Sequence, residues 1–188
     1  TLGTFSVISH GRRVNFPRKK SMLLLQLLLI NHPDPVHEEV IIEHLWPEAE
    51  PSKGKSNLRT GVKDLRRALD PYYEPRGKSY ITYSDGHYGL FLPGGSSVDV
   101  FDFQKSISII SNLALSDRTP TTSDLDQLHS LLSLFKGPFL PQQNYEQFTL
   151  EYRERVHQQF LKAAAGYAEQ MSAGGRFEEA GRILAKGL

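Results

Sequence analysis

The sequence predicts two domains, an α+β domain in residues 1–95 followed by an all-α domain in residues 96–188. Two short β-prone stretches open the chain, and three stretches with apolar residues at helical spacing follow them. A tight-turn dipeptide then joins two further β-prone stretches. From residue 96 onward the periodicity is helical. Strands, three helices and a hairpin in this order are the plan of a winged helix-turn-helix domain.

The chain is expected to begin with two strands and a central helix. Residues 2–9 and 12–16 are β-prone and flank a His-Gly turn. Pro17 stands where a helix can begin, and residues 18–31 follow with leucines around nearly the whole circumference of the predicted helix. Such a helix is typical of the centre of a core.

An acidic second helix is predicted over residues 36–46. We place Val36, Val40, Ile41 and Leu45 on its inner face, with its three glutamates outward. Pro47 ends the helix, and residues 46–56 are predicted to form a loop.

The third helix, predicted over residues 56–69, is basic. Leu58, Val62, Leu65 and Leu69 recur at helical spacing and predict one buried stripe. Residues 52–69 carry six Lys and Arg against one acid, Asp64, in a chain whose formal net charge is only +1. This local charge suits a polyanion, with DNA as the first candidate, although a solvated amphipathic helix explains this helix alone equally well.

A hairpin is predicted directly after the basic helix. Residues 70–78 are rich in Pro and Gly and are expected to form a loop. The β-prone runs SYITYS and HYGLFL follow, separated by Asp85-Gly86, a dipeptide favoured in tight turns because both residues tolerate positive φ. This hairpin would be the wing.

Four motifs in this order resemble the OmpR-type winged-helix domain of SARP-type (Streptomyces antibiotic regulatory protein) bacterial regulators. They are K-x-x-L-L-L-x-L-L-L at residues 20–29, LWPE at 45–48, NLRTGVKDLRRAL at 57–69 and YIT…GHYGL at 80–90. The chain departs from the family at His37, where a Ser or Thr cap is common. Gly61 lies within the third helix, where glycine costs about 0.5–1 kcal/mol relative to alanine. Close approach to DNA and simple tolerance are the two interpretations of Gly61.

The carboxyl-terminal half resembles the bacterial transcriptional activator domain of the same family, with helices like those of tetratricopeptide repeats. A flexible connector is expected at residues 93–97. Asp99 is predicted to cap one helix, and Ser123 or Asp124 a second that ends at Gly137-Pro138. A long helix with apolar positions from Phe148 to Met171 follows, and residues 175–184 resemble the second helix of a repeat. Because a repeat buries its face against the next one, we expect the array to continue beyond Leu188.

The resemblance implies a cytoplasmic, sequence-specific DNA-binding transcriptional regulator, an activator that binds promoter DNA as a homodimer on tandem repeats. From the outward face of the third helix, the residues predicted to contact bases are Asn57, Arg59, Thr60 and Lys63. Those predicted to contact phosphates or to belong to the wing are Lys19, Lys20, Lys53, Lys55, Ser56, Arg66, Arg67, Asp85, Gly86 and His87. For Arg66, pairing with an acid inside the fold is the alternative.

The resemblance also implies that residues 46–52 contact the sigma subunit of RNA polymerase, through Trp46, Glu48 and Glu50. For Trp46, the role of an aromatic anchor in the core is the better explanation on general burial habits.

Other classes of protein find little support in the sequence. The chain has no cysteine, which removes disulfides and thiolate metal sites. Its most apolar run, residues 22–30, is far shorter than the roughly 20 residues that cross a bilayer, so no membrane partner is predicted. His37-Glu38 begins the zinc motif H-E-x-x-H, but Ile41 occupies the place of the second histidine. No catalytic site, cofactor or metal is predicted. The alternative function is a helical-repeat interaction module whose winged helix binds protein rather than DNA.

Overall fold

The computed structural model describes residues 1–72, 74, 79–115, 121–142, 147–173 and 177–185, with the side chains of 110–115 and 173 excepted. Parts of the loop predicted at residues 70–78 and of the loop that the run DRTPTTS predicts at residues 117–123, and the start of the repeat-like segment at Gly175, lie outside the described residues. The chain forms two compact units, Ser6–Ser96 and Ser97–Leu188, and the second includes Thr1–Phe5.

The first five residues pack with the carboxyl-terminal unit, whereas the sequence assigned them to the amino-terminal domain. Leu2 is buried, forms a β-bridge with Phe139, and its backbone N–H donates to the Asp99 carboxylate at 2.8 Å. The predicted first strand is therefore much shorter than the β-prone run. The strand that remains pairs with a segment later in the chain, and the Val14 N–H donates a hydrogen bond to the Val7 carbonyl.

In its described residues, the amino-terminal unit contains three helices and two small sheets. Its elements are β1 (Ile8–Ser9), β2 (Arg12–Arg13), α1 (Lys19–Asn31), β3 (Val36–His37), α2 (Glu38–Leu45), α3 (Pro51–Leu69), β4 (Ile81–Ser84) and β5 (His87–Leu90). β1 pairs antiparallel with β2, and the second sheet has the order β3-β5-β4. Every side chain from residue 23 to 29 of α1 is buried, which confirms α1 as the central helix.

The second helix begins later than predicted because Val36 and His37 form a strand. They pair with Tyr88 and His87 of β5, and the Glu38 N–H donates to the Gly86 carbonyl at 2.8 Å. The His37 imidazole accepts from the Glu39 N–H at 3.3 Å, so it caps α2 in place of the expected Ser or Thr. A two-residue strand is too short for periodicity to reveal.

Val40 is on the outer side of α2, contrary to the sequence prediction. The helix buries Ile41 and Leu45, which are four residues apart and share one face, and Val40 is left 41% exposed.

The third helix begins at Pro51 rather than at Ser56, so residues 51–55 belong to the helix and not to the predicted loop. Pro51 occupies the first turn, where its missing N–H costs nothing. The predicted stripe of Leu58, Val62, Leu65 and Leu69 is buried, as expected.

Two buried glycines of α3 face its neighbours, and one of them allows a close approach. A Cβ at Gly54 would lie 2.6 Å from Cγ2 of Ile42, inside contact distance, whereas one at Gly61 would lie 3.5 Å from the Trp46 ring, an ordinary contact. Gly61 thus faces the core, and approach to DNA does not explain it. Trp46 packs against α3, which agrees with its interpretation as an aromatic anchor in the core.

The carboxyl-terminal unit contains α4 (Asp99–Leu115), α5 (Thr122–Leu132), α6 (Gln147–Ala173) and α7 (Phe177–Leu184). Its core is aromatic, with Phe135 and Phe160 stacked at 3.9 Å and Phe103 beside both. The stripe predicted on the long helix is buried from Tyr152 through Met171. No helix in the described part of the chain is both long and apolar enough to cross a bilayer.

Two details of α5 differ from the prediction. Thr121, not Ser123 or Asp124, caps the helix. The Thr121 hydroxyl accepts from the Asp124 N–H at 3.2 Å and the Asp124 carboxylate accepts from the Thr121 N–H at 2.8 Å. The helix ends at Leu132, five residues before Gly137, and Phe135 reaches the core from the turn that follows.

We expect Gly54→Ala to destabilise the amino-terminal unit by about 1–3 kcal/mol. The added methyl would press on the stiff, β-branched Ile42 side chain, and overpacking of this kind costs that much. Gly61→Ala is the matched control on the same helix, and it should leave stability unchanged or raise it by up to about 1 kcal/mol. Urea unfolding followed by far-ultraviolet circular dichroism measures both. Equal stabilities of the two variants would contradict the close contact at Gly54.

Candidate nucleic-acid interface

The exposed face of α3 is polar and basic along its whole length. Because the apolar stripe and both glycines occupy the opposite side, the side chains that face outward are Ser52, Lys53, Ser56, Arg59, Thr60, Lys63 and Arg67. The Thr60 hydroxyl donates to the Ser56 carbonyl at 2.9 Å. The structure therefore brings three of the four predicted base-contacting residues onto one exposed surface.

Asn57, the fourth, lies at the margin of this surface and is half-buried. It precedes Arg59 by two residues, which on a helix corresponds to a rotation of about 200°. Asn57 therefore lies on the opposite edge of the exposed face from Arg59 and near Lys53, four residues earlier.

The only acid of α3 is held away from the exposed face. Asp64 forms an ion pair of 3.0 Å with Arg18, the residue that precedes α1. This contact places the amino terminus of α1, whose first turn contains Lys19 and Lys20, beside α3.

Lys55 is engaged within the fold. Its ammonium lies 2.8 Å from the Glu38 carboxylate at the start of α2. This hydrogen bond lowers the pKa of Glu38 and raises the pKa of Lys55, so both groups stay charged near neutral pH. Lys55 thus ties α3 to α2.

The wing is a two-residue hairpin as predicted. Asp85 and Gly86 both have positive φ, 48° and 78°, which matches the twist of the flanking strands. His87 is not directed freely outward from the turn. Its Nδ1 lies 2.8 Å from the Asp85 carbonyl, and its ring packs edge-on against His37 at 4.9 Å between centroids.

Arg66 connects α3 to the wing. Its Nε and Nη2 both approach the Ile81 carbonyl of β4, at 3.2 and 2.7 Å. This partner is a backbone oxygen and not the acid that the alternative interpretation of Arg66 named. Arg66 therefore fixes the distance between α3 and the hairpin.

A groove of about 400 Å³ lies between α3 and the wing. Its lining residues are Arg59, Val62, Lys63, Arg66, Arg67, Tyr83 and Tyr88. The two tyrosines were not among the site residues predicted from the sequence. They are directly opposite each other in the hairpin, with ring centroids 4.8 Å apart. Counting outward from the Asp85-Gly86 turn would have shown that positions 83 and 88 face each other.

The tyrosines of the groove differ in exposure. Tyr83 is 55% exposed, whereas Tyr88 is buried. Burial raises the pKa of Tyr88, so its hydroxyl stays protonated and neutral at physiological pH.

The segment predicted to contact RNA polymerase is shortened to residues 46–50, because α3 already includes Pro51 and Ser52. Trp46 is half-buried against Gly61. Glu48 and Glu50 are exposed, so the acidic side chains remain available to a partner.

Residues 11–87 match the family described as "Transcriptional regulatory protein, C terminal". No curated protein sequence matches the chain significantly. Among solved structures, the chain is similar to Mycobacterium tuberculosis EmbR, determined in complex with a low-affinity phosphopeptide. The identity is 24% and the TM-score 0.74, over 93% of this chain and 45% of that one. This chain thus spans less than half of the EmbR chain, and at this identity the likeness establishes the fold. The family match, the basic helix and the wing agree in making residues 11–87 a winged-helix domain similar to those of DNA-binding transcriptional regulators.

Proposed function

We propose that the protein is a transcriptional activator that binds promoter DNA sequence-specifically, with α3 in the major groove and the wing at the adjoining minor groove. The uniformly polar and basic exposed face of α3 carries this proposal. A helix fits the wide major groove, where the base edges distinguish all four base pairs. Asp64, the one acid of α3, is paired with Arg18 at the edge of the helix.

The contacts divide into two classes. We assign Arg59, Thr60 and Lys63 to base edges, and Asn57 to bases or backbone at the far edge of α3. Ser56, Lys53 and Arg67 on α3, with Lys19 and Lys20 on α1, are assigned to phosphates. Lys55, Arg66 and His87, which have partners inside the domain, are assigned to holding α3, α2 and the wing in position.

Arginine replacements on α3 test this division. Arg59→Ala should lose about 1–3 kcal/mol of discrimination at particular base pairs, because a bidentate contact to guanine is removed. Arg67→Ala should weaken all sequences alike and reduce the slope of log affinity against log salt by about 0.9. The measurement is a titration of each variant, at several salt concentrations, with a duplex selected from a random pool and with its scrambled form.

Arg182→Ala is the control for these titrations, because Arg182 is an exposed arginine on α7 that pairs with Glu178. It should change neither quantity. If Arg59→Ala retains the full ratio of specific to scrambled affinity, α3 is not the element that reads the bases.

We also propose that Glu48 and Glu50 contact the sigma subunit of RNA polymerase. Both are exposed between α2 and α3, and an acidic pair complements a basic protein surface. Replacing both with Ala should lower transcription from a bound promoter in vitro and leave the DNA affinity unchanged. The double replacement of Glu151 and Glu169 on α6 serves as the matched control. A parallel loss of DNA affinity would show instead that the segment supports the fold.

The carboxyl-terminal unit is proposed to mediate homodimerisation on tandem sites. Its proposed role rests on a mildly acidic balance, with 9 Lys and Arg against 11 Asp and Glu in residues 96–188, which does not favour DNA contact. A fragment of residues 6–96 should bind a single half-site weakly and lose cooperativity on tandem sites. Binding isotherms of the fragment and the whole chain measure this, and equal cooperativity would exclude the proposed role.

A further inference from the structure

The groove between α3 and the wing differs chemically from the rest of the exposed surface of α3. The groove is lined by arginine guanidinium groups, which only donate hydrogen bonds, and by two tyrosine side chains. Lys63 and Arg67 on its rim form no ion pair with the acidic side chains that the structure describes. Glu38 at the start of α2 is paired with Lys55, which lies two turns before Lys63 on α3. Such a groove suits an anion with exposed oxygens.

The position of the groove specifies which anion. This step rests on the proposed function, in which α3 enters the major groove and the wing meets the minor groove. One sugar–phosphate backbone separates the two grooves of a duplex. The part of this concave surface next to the wing, with Arg67 and Tyr83, therefore faces this backbone, whereas Arg59 and Lys63, which also line it, are the residues assigned to base edges.

We infer that this groove is a binding site for a phosphodiester of the DNA backbone, held by the Tyr83 hydroxyl and the Arg67 guanidinium. Tyr83 is well placed because it is exposed on the side of the hairpin that faces α3. The buried ring of Tyr88 supports it at 4.8 Å. Arg66 holds β4 against α3 through the Ile81 carbonyl, which sets the width of the groove before DNA binds.

The site would determine the position of α3 along the duplex and would not recognise the base sequence. A phosphate carries no base identity, but a fixed phosphate contact determines where α3 lies along the duplex. Tyr83 is then a binding residue that contributes equally to every sequence, unlike Arg59.

Tyr83→Phe tests the site because it removes the hydroxyl and keeps the ring. It should bind about tenfold more weakly, by the same factor on selected and scrambled duplexes, since a hydrogen bond to a charged group is lost. The salt slope should not change because no charge is removed. Tyr72→Phe is the matched control, since Tyr72 is 78% exposed and does not line the groove. It should bind like the unaltered protein.

Duplexes with a single neutral methylphosphonate, placed at each backbone position in turn, identify the partner of Tyr83. At one position, the difference in affinity between the unaltered protein and Tyr83→Phe should disappear, and the penalty of Arg67→Ala should shrink at the same position. A difference that persists at every position, or a Tyr83→Phe variant that binds normally, would overturn the phosphate site while leaving the proposed function intact. Failure of the unaltered protein to bind any duplex would overturn both.

Thermal melting followed by circular dichroism accompanies the titrations. Tyr83→Phe should melt like the unaltered protein, because the hydroxyl of this half-exposed residue is not buried in the core. A large fall in melting temperature with an affinity loss that is independent of the methylphosphonate position would assign Tyr83 to the fold and overturn the site.

Discussion

The burial of one side of α3 is the constraint on which the rest of the amino-terminal unit depends. Leu58, Val62, Leu65 and Leu69 enter the core, and each contributes roughly 1.5–3 kcal/mol when fully buried. Gly54 removes the side chain that would otherwise keep α3 away from Ile42. Once this side is packed, the rotation of the helix about its axis is fixed. The exposed face can then only be the one that carries the lysines and arginines.

Polar contacts at the edges of α3 also join it to its neighbours, in addition to the apolar packing of its buried side. Arg18 and Asp64 join the start of α1 to one edge of the helix, Lys55 and Glu38 join α2, and Arg66 joins the wing. Two of the basic side chains in these contacts, Lys55 and Arg66, are ones that the sequence alone would assign to DNA. Only the distances between side chains in the folded structure show which basic residues stabilise the fold and which remain available to DNA. Lys53 and Lys55 are two positions apart, yet Lys55 pairs with Glu38 whereas Lys53 is exposed.

The wing is continuous with the start of α2 through a short strand. β3 pairs with β5, so the hairpin forms two strands of a three-stranded sheet. An isolated two-stranded hairpin would be only marginally stable in water. The Glu38 N–H to Gly86 carbonyl bond connects the α2 start directly to the turn of the wing. The wing, α3 and the arginine that joins them form the walls of the groove. This arrangement makes a defined phosphate contact physically reasonable.

Elements with a local signal could be predicted from the amino-acid sequence. The apolar stripe of α3, the leucines of α1, the stripe of α6 and the Asp85-Gly86 turn each follow from spacing or from residues that tolerate positive φ. Other features depend on contacts between distant positions and are visible only in the folded structure. Leu2 pairs with Phe139, Val36 with Tyr88, and Gly61 with Trp46, and none of these pairs leaves a periodic trace. The groove between α3 and the wing belongs to the second group, because its arginines and tyrosines meet only when α3 packs against the hairpin.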